Sequence, residues 1–205
     1  SSAVKSFAYS KVRFDQSLED LMTGHHALKR IWQIGLGAAC FVGLLGCAES
    51  LRQTPACDAY FTAGDMGRFK LQSPEVVQDT ASKLLWYRCA AGMAWLNDAC
   101  VGDPAELSFE EAQSYAAEFS KASGKTWRVP SYDELKELAE TKCDNPAFNP
   151  TAFPNLPIEN LWTTTTQVGS PWQACTVYSF TGVGHCRTRR TQPLMFLLVH
   201  DPNKP

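Results

Sequence analysis

Trp127-Arg128-Val129-Pro130-Ser131-Tyr132-Asp133-Glu134-Leu135 is the stretch on which the reading of the fold turns. Ser131 is followed three residues later by Glu134, the spacing of a capping box. The serine hydroxyl accepts a hydrogen bond from the amide at the third helical position, and the glutamate reaches back to the amide of the cap. Pro130, which has no N–H to give to a helix, stands directly before the serine. Leu135 and Leu138 then lie on one face. The stretch predicts a helix that starts at Ser131 and buries those two leucines.

Upstream, Ser108-Phe109-Glu110-Glu111 is a second capping box. Phe109, Ala112, Tyr115, Ala116 and Phe119 recur after it at helical spacing, and Gly124 follows as a stop. The remaining apolar segments are too short for helices. Leu84 to Tyr87, Leu161 to Thr166, Thr176 to Phe180 and Met195 to Val199 are expected to be strands. Asn145 to Pro157 holds four prolines and is expected to be an ordered loop without regular pairing. Two helices among short antiparallel strands and long loops make an α+β domain.

The motifs fall in a recognisable order. Leu84-Leu85-Trp86-Tyr87-Arg88-Cys89 comes first, then Cys100 and the first helix, then the Trp127-to-Leu135 stretch. Asn145-Pro146-Ala147-Phe148-Asn149, Phe153-Pro154-Asn155, Leu161-Trp162-Thr163-Thr164 and Val177-Tyr178-Ser179-Phe180 with Gly182 follow. From about residue 68 to 200 this resembles the family typified by the C-terminal domain of the Legionella collagen-like adhesin. That family is similar to C-type-lectin-like folds, a class that also holds the formylglycine-generating enzymes. The resemblance implies a C-type-lectin-like domain of two helices packed on short twisted strands with long ordered loops. It implies function less directly, because one fold hosts many activities. The chain departs from the family at its end: Pro193-Leu194-Met195-Phe196-Leu197-Leu198-Val199 stands where a strand rich in Val and Arg is usual. Trp127, Trp162 and Arg128 are read as scaffold.

The N-terminal part has a different character. Lys29 and Arg30 precede the apolar run Ile31 to Gly46, the order of an export signal. The run closes on Leu44-Leu45-Gly46-Cys47, which resembles a bacterial lipobox, in which a thiol is needed to carry the diacylglyceryl group. The expected organisation is a possible upstream extension over 1–21, a signal peptide over 22–46, a tether over 47–66 with lipid on Cys47, and one domain over 67–205. Ala48, where an aspartate would favour retention in the inner membrane, points to the outer membrane.

Eight cysteines are many for a reduced compartment. None are two to four residues apart, as zinc ligands usually are, so no metal is expected and disulfides are. With Cys40 and Cys47 set aside, Cys57, Cys89, Cys100, Cys143, Cys175 and Cys186 remain. Cys89–Cys100 is the best-supported bond. Cys57–Cys143 with Cys175–Cys186 ranks first among the other pairings, although a tight turn at Gly182-Val183-Gly184 would set Cys175 opposite Arg190 instead. Residues 48–205 carry 14 Lys and Arg against 18 Asp and Glu, a net of −4. No nucleic-acid partner is expected. Arg187, Arg189 and Arg190 form a basic cluster that would suit a sulfated glycan or another anionic surface. His185 and His200 have no nucleophile motif beside them, so no catalytic residues and no cofactor are expected. The sequence thus describes a non-enzymatic envelope lipoprotein that binds or adheres. The alternatives are an accessory subunit of a secretion or pilus assembly and, further off, an enzyme of the formylglycine-generating type.

Overall fold

The structure, a computed structural model, describes residues 54–204. The expected extension, signal peptide and lipid-bearing Cys47, and the first part of the expected tether, lie outside the described residues. In chain order the elements are α1 (Cys57–Tyr60), β1 (Phe69–Ser73), β2 (Val76–Asp79), β3 (Leu85–Tyr87), β4 (Ala94–Leu96), β5 (Ala99–Val101), α2 (Phe109–Ser123) and β6 (Trp127–Arg128). Then come α3 (Tyr132–Leu138), β7 (Asn160–Thr166), β8 (Gln173–Tyr178), β9 (Gly184–Arg189) and β10 (Val199–His200). The strands form a five-stranded sheet ordered β1-β2-β3-β10-β6, a three-stranded sheet ordered β7-β8-β9, and the β4-β5 hairpin, with all strand pairs antiparallel. The domain is α+β.

Both capping boxes form. Ser108 caps α2 reciprocally with Glu111, and α2 stops at Gly124, which takes the left-handed conformation at φ 69°. Glycine has no Cβ to clash there. The buried face of α2 is Phe109, Ala112 and Ala116. Ser131 caps α3 reciprocally with Glu134, and Leu135 and Leu138 are buried. Arg128 closes the arrangement, its two terminal nitrogens each 2.7 Å from an oxygen of Glu134. The Trp-Arg dipeptide is therefore clamped to the start of the helix that follows it.

Burial pushes the Glu134 carboxyl up, but hydrogen bonds from Arg128 and Ser131 outweigh it and hold the group below the usual carboxylate range. A depressed acid stabilises the fold above its unfolded pKa, and that contribution disappears as pH falls through the folded value. Glu134→Gln should lower the melting temperature at neutral pH, and the gap to the parent should close on acidification towards about pH 3. Melting curves across that range check this; a gap that is constant with pH contradicts it.

The tail of the chain explains its all-apolar sequence. Leu194, Phe196 and Leu198 belong to one core cluster, with Phe109, Ala116, Trp127 and Trp162. Met195, Leu197 and Val199 belong to the other, with Trp86, Leu135, Phe148, Phe153 and Leu161. Successive side chains of an extended segment point to opposite sides. The segment runs between two cores, so neither side can be polar. It ties the sheets together through bonds from Trp162 N to Met195 O, from Ala91 N to Phe196 O and from Tyr87 N to Leu198 O.

Several expected boundaries are corrected. Only Val199 of the expected strand Met195–Val199 lies in a regular strand, because the rest bonds singly to two strands, β7 and β3, and to the loop after β3. The strand expected at Thr176–Phe180 is β8, which starts three residues earlier and ends two residues earlier. Ser179 and Phe180 leave it to hold the proline-rich loop, accepting hydrogen bonds from Ala147 N and Asn145 N. β1, β2, the β4-β5 hairpin and β6 were not expected. The proline-rich loop is irregular yet fixed: Arg88 donates to Thr151 O, Ala152 O and Pro74 O, while Asn149 Oδ1 accepts from Thr151 N and Ala152 N. The tether expected to reach residue 66 ends sooner. Cys57 is fully buried and bonded to Cys143, and Asp144 exchanges backbone hydrogen bonds with Pro55 and Cys57.

Candidate functional site

The structure contains the bonds Cys57–Cys143, Cys89–Cys100 and Cys175–Cys186. The third one depends on the turn between β8 and β9. A tight turn would have put Cys175 opposite Arg190. Instead Tyr178 N bonds to Val183 O and Gly182 N to Tyr178 O, so the turn is wider. Val177 then pairs with Gly184 and Thr176 with His185, which sets Cys175 across from Cys186.

The three arginines expected to act together separate into two kinds. Arg187 and Arg189 are exposed on β9, the outer strand of its sheet, with inward-facing Thr188 between them. Neither has an ion-pair partner among the described residues. Arg190 differs from the other two in that its charge is already engaged. Its guanidinium lies 2.5 Å from Glu110, donates to Pro171 O and sits 4.5 Å from the centre of the Phe109 ring. Arg190 thereby fastens the start of α2 to the loop between β7 and β8.

That loop contains what sequence reading missed. Arg190 N bonds to Trp172 O, and Gln173 pairs with Arg189 in register. These bonds set the last residues of the loop beside β9. Glu110, Pro171, Trp172, Gln173, Arg189 and Arg190 line an open cleft of about 650 Å³. Trp172 is 71% exposed, whereas Trp86, Trp127 and Trp162 are buried. Val168, on the same loop, is 94% exposed. Pro171-Trp172 next to Gly169 was the available signal: a tryptophan inside a turn has no core face to occupy.

The cleft therefore offers an indole face and an unpaired guanidinium at its rim, on a backbone held by hydrogen bonds. Such a pair can stack on a flat or apolar group while attracting an anion. A second cavity of about 380 Å³ lies at the other end of β8, lined by Thr54, Lys136, Glu140, Asp144 and the β8-β9 turn. Burial raises the Glu140 carboxyl there. This is where the described chain begins, so the entry point and the Trp172 cleft lie at opposite ends of β8. His200 faces the Trp127 ring and is hydrogen-bonded with Thr126, and His185 Nδ1 accepts from Arg187 N.

The profile of the Lcl C-terminal domain matches residues 75–200, from the threshold of β2 to the end of β10. The chain belongs to the Lcl C-terminal domain family. The matched span of this Lcl-type domain includes the whole Trp172 cleft, the three buried tryptophans of the motif stretches (Trp86, Trp127 and Trp162) and two of the three disulfides. It leaves out α1 and β1, so the Cys57–Cys143 bond fastens a preceding segment to the family domain. No curated protein and no solved structure matches the chain.

Proposed function

We propose that this is a non-enzymatic envelope lipoprotein whose Lcl-type domain, of C-type-lectin-like fold, is an adhesion module that engages an anionic partner at the Trp172 cleft. Family membership supports an adhesion-related extracellular domain. The observation that carries the reading is the exposed Trp172 beside the unpaired Arg189, at the end of β8 away from Thr54. A six-residue strand spans roughly 17–20 Å. A hold on the chain before Thr54 would thus leave the cleft, at the far end of β8, clear of the point of entry. Lipid on Cys47 would supply that hold, each buried methylene contributing about 0.8 kcal/mol.

Two measurements test it. Cys47→Ser should abolish acylation and leave an unprocessed or released product; normal mature mass and membrane partition in that variant would refute the anchor. Fractionation should place the parent protein in the outer membrane. For adhesion, cells displaying Trp172→Ala with Arg189→Gln should attach to anionic surfaces about tenfold less well than cells displaying equal amounts of the parent, and no differently to neutral ones. Equal attachment to the anionic surfaces would overturn the assignment of the cleft.

A further inference from the structure

The loop Gln167–Trp172 between β7 and β8 has a pattern that a soluble ligand alone does not explain. It exposes Val168 almost completely and Trp172 by 71%, four residues apart on a closed turn. Gln167 N bonds to Gln173 O, Ser170 N to Gln167 O, and Gln173 N to Ser170 O. Arg190 holds the turn from the side through Pro171 O. Fixing two apolar side chains in water on a braced turn gains nothing in the free protein, since exposed apolar surface is costly.

Among the described residues, the charges beside the turn that have no ion-pair partner are of one sign. Arg189 stands opposite Gln173, which directly follows Trp172, and Arg187 lies two residues further along the exposed edge, its carbonyl accepting from the Gln173 side chain. The acid lining the cleft, Glu110, is paired with Arg190. The acids Glu140 and Asp144 lie around the cavity at the far end of β8. An otherwise acidic domain is thus locally basic where its aliphatic and indole groups project.

We propose that the β7-β8 turn is a membrane-contacting tip that docks on an anionic lipid bilayer. Val168 enters the acyl boundary, Trp172 lies at headgroup depth, and Arg187 and Arg189 meet lipid phosphates. Tryptophan prefers that interface, with its ring in the apolar zone and its N–H in the wet one. Cationic side chains are drawn to anionic headgroups within a Debye length. A sulfated glycan would use the arginines and the indole but has no use for Val168. The inference rests on the adhesion reading and names its partner.

The full chain, held in nanodiscs by its own N-terminal segment, is offered three probes: vesicles of phosphatidylcholine with phosphatidylglycerol, vesicles of phosphatidylcholine alone, and dextran sulfate. Capture of the anionic vesicles is expected, weaker in high salt. Val168→Ser with Trp172→Ser should weaken it at least about tenfold, and Arg187→Gln with Arg189→Gln by a similar factor. All four side chains are exposed, and unchanged melting temperatures would confirm that the variants fold. In a second measurement, brominated lipid in the captured vesicles should quench a part of the indole fluorescence that is missing in Trp172→Phe. Equal capture of both kinds of vesicle, no effect of the Val168/Trp172 pair, or no Trp172-dependent quenching would overturn the proposal. Retention of dextran sulfate without vesicles would overturn it while leaving the adhesion reading standing; failure of all three probes would remove both.

Discussion

Trp162→Ala is expected to destabilise the domain by about 3–5 kcal/mol, the usual cost of emptying a buried tryptophan site. Trp162 is fully buried, and its ring meets Phe109 edge-on at 5.8 Å. Its indole N–H donates to Leu107 O at 2.8 Å, and Leu107 also exchanges backbone hydrogen bonds with Leu194. One side chain thus joins β7, the entry to α2 and the buried C-terminal segment. Trp162→Phe should keep much of the packing and lose only the indole bond, at about 0.5–1.5 kcal/mol, because the Leu107 carbonyl still accepts from Leu194 N. Urea unfolding would measure both, with the midpoint falling and the slope unchanged. A cost below about 1.5 kcal/mol for the alanine variant would mean that the site collapses without a cavity, contrary to the packing described.

The second large effect is expected from replacing Cys57 and Cys143 together by alanine. Their bond spans 86 residues, against 11 for each of the others. Restriction of the unfolded chain grows with loop length, giving about 4–5 kcal/mol for the long loop and about 3 kcal/mol for a short one. Chemical unfolding of the three double variants should therefore rank the Cys57–Cys143 variant lowest. If its loss is no larger than that of the Cys89/Cys100 variant, native-state strain or residual unfolded structure outweighs the loop term. Limited proteolysis adds a local readout: cleavage should appear around residues 54–62, where the freed segment keeps only its backbone bonds to Asp144.

Residues near one another in sequence were read well. Ser108 with Glu111 and Ser131 with Glu134 act across three residues, so the starts of both long helices were legible, as was the stop at Gly124. Of the strands, β3, β7 and β8 were legible as short apolar runs, whereas β4, β5 and β6, of only two or three residues each, were not. At that length there is no period to detect, and each strand exists because a distant partner completes its hydrogen bonds. The apolar C-terminal run was visible as a run. That it separates two cores was not.

The candidate site divides in the same way. The basic cluster was legible as composition, yet which of its charges is free was decided by Glu110, eighty residues away in sequence. Trp172 carried only the hint of its turn residues, Gly169 and Pro171, and burial is what separated it from Trp127 and Trp162.

By itself, the sequence determined the caps of α2 and α3, the family resemblance, the count of cysteines and the basic edge, all of which rest on residue identity and local spacing. Only the tertiary structure decided the register that sets Cys175 against Cys186, the neutralisation of Arg190 and the exposure of Val168 and Trp172. Those depend on which surfaces meet, and a surface becomes core or remains free only when the rest of the chain has packed around it.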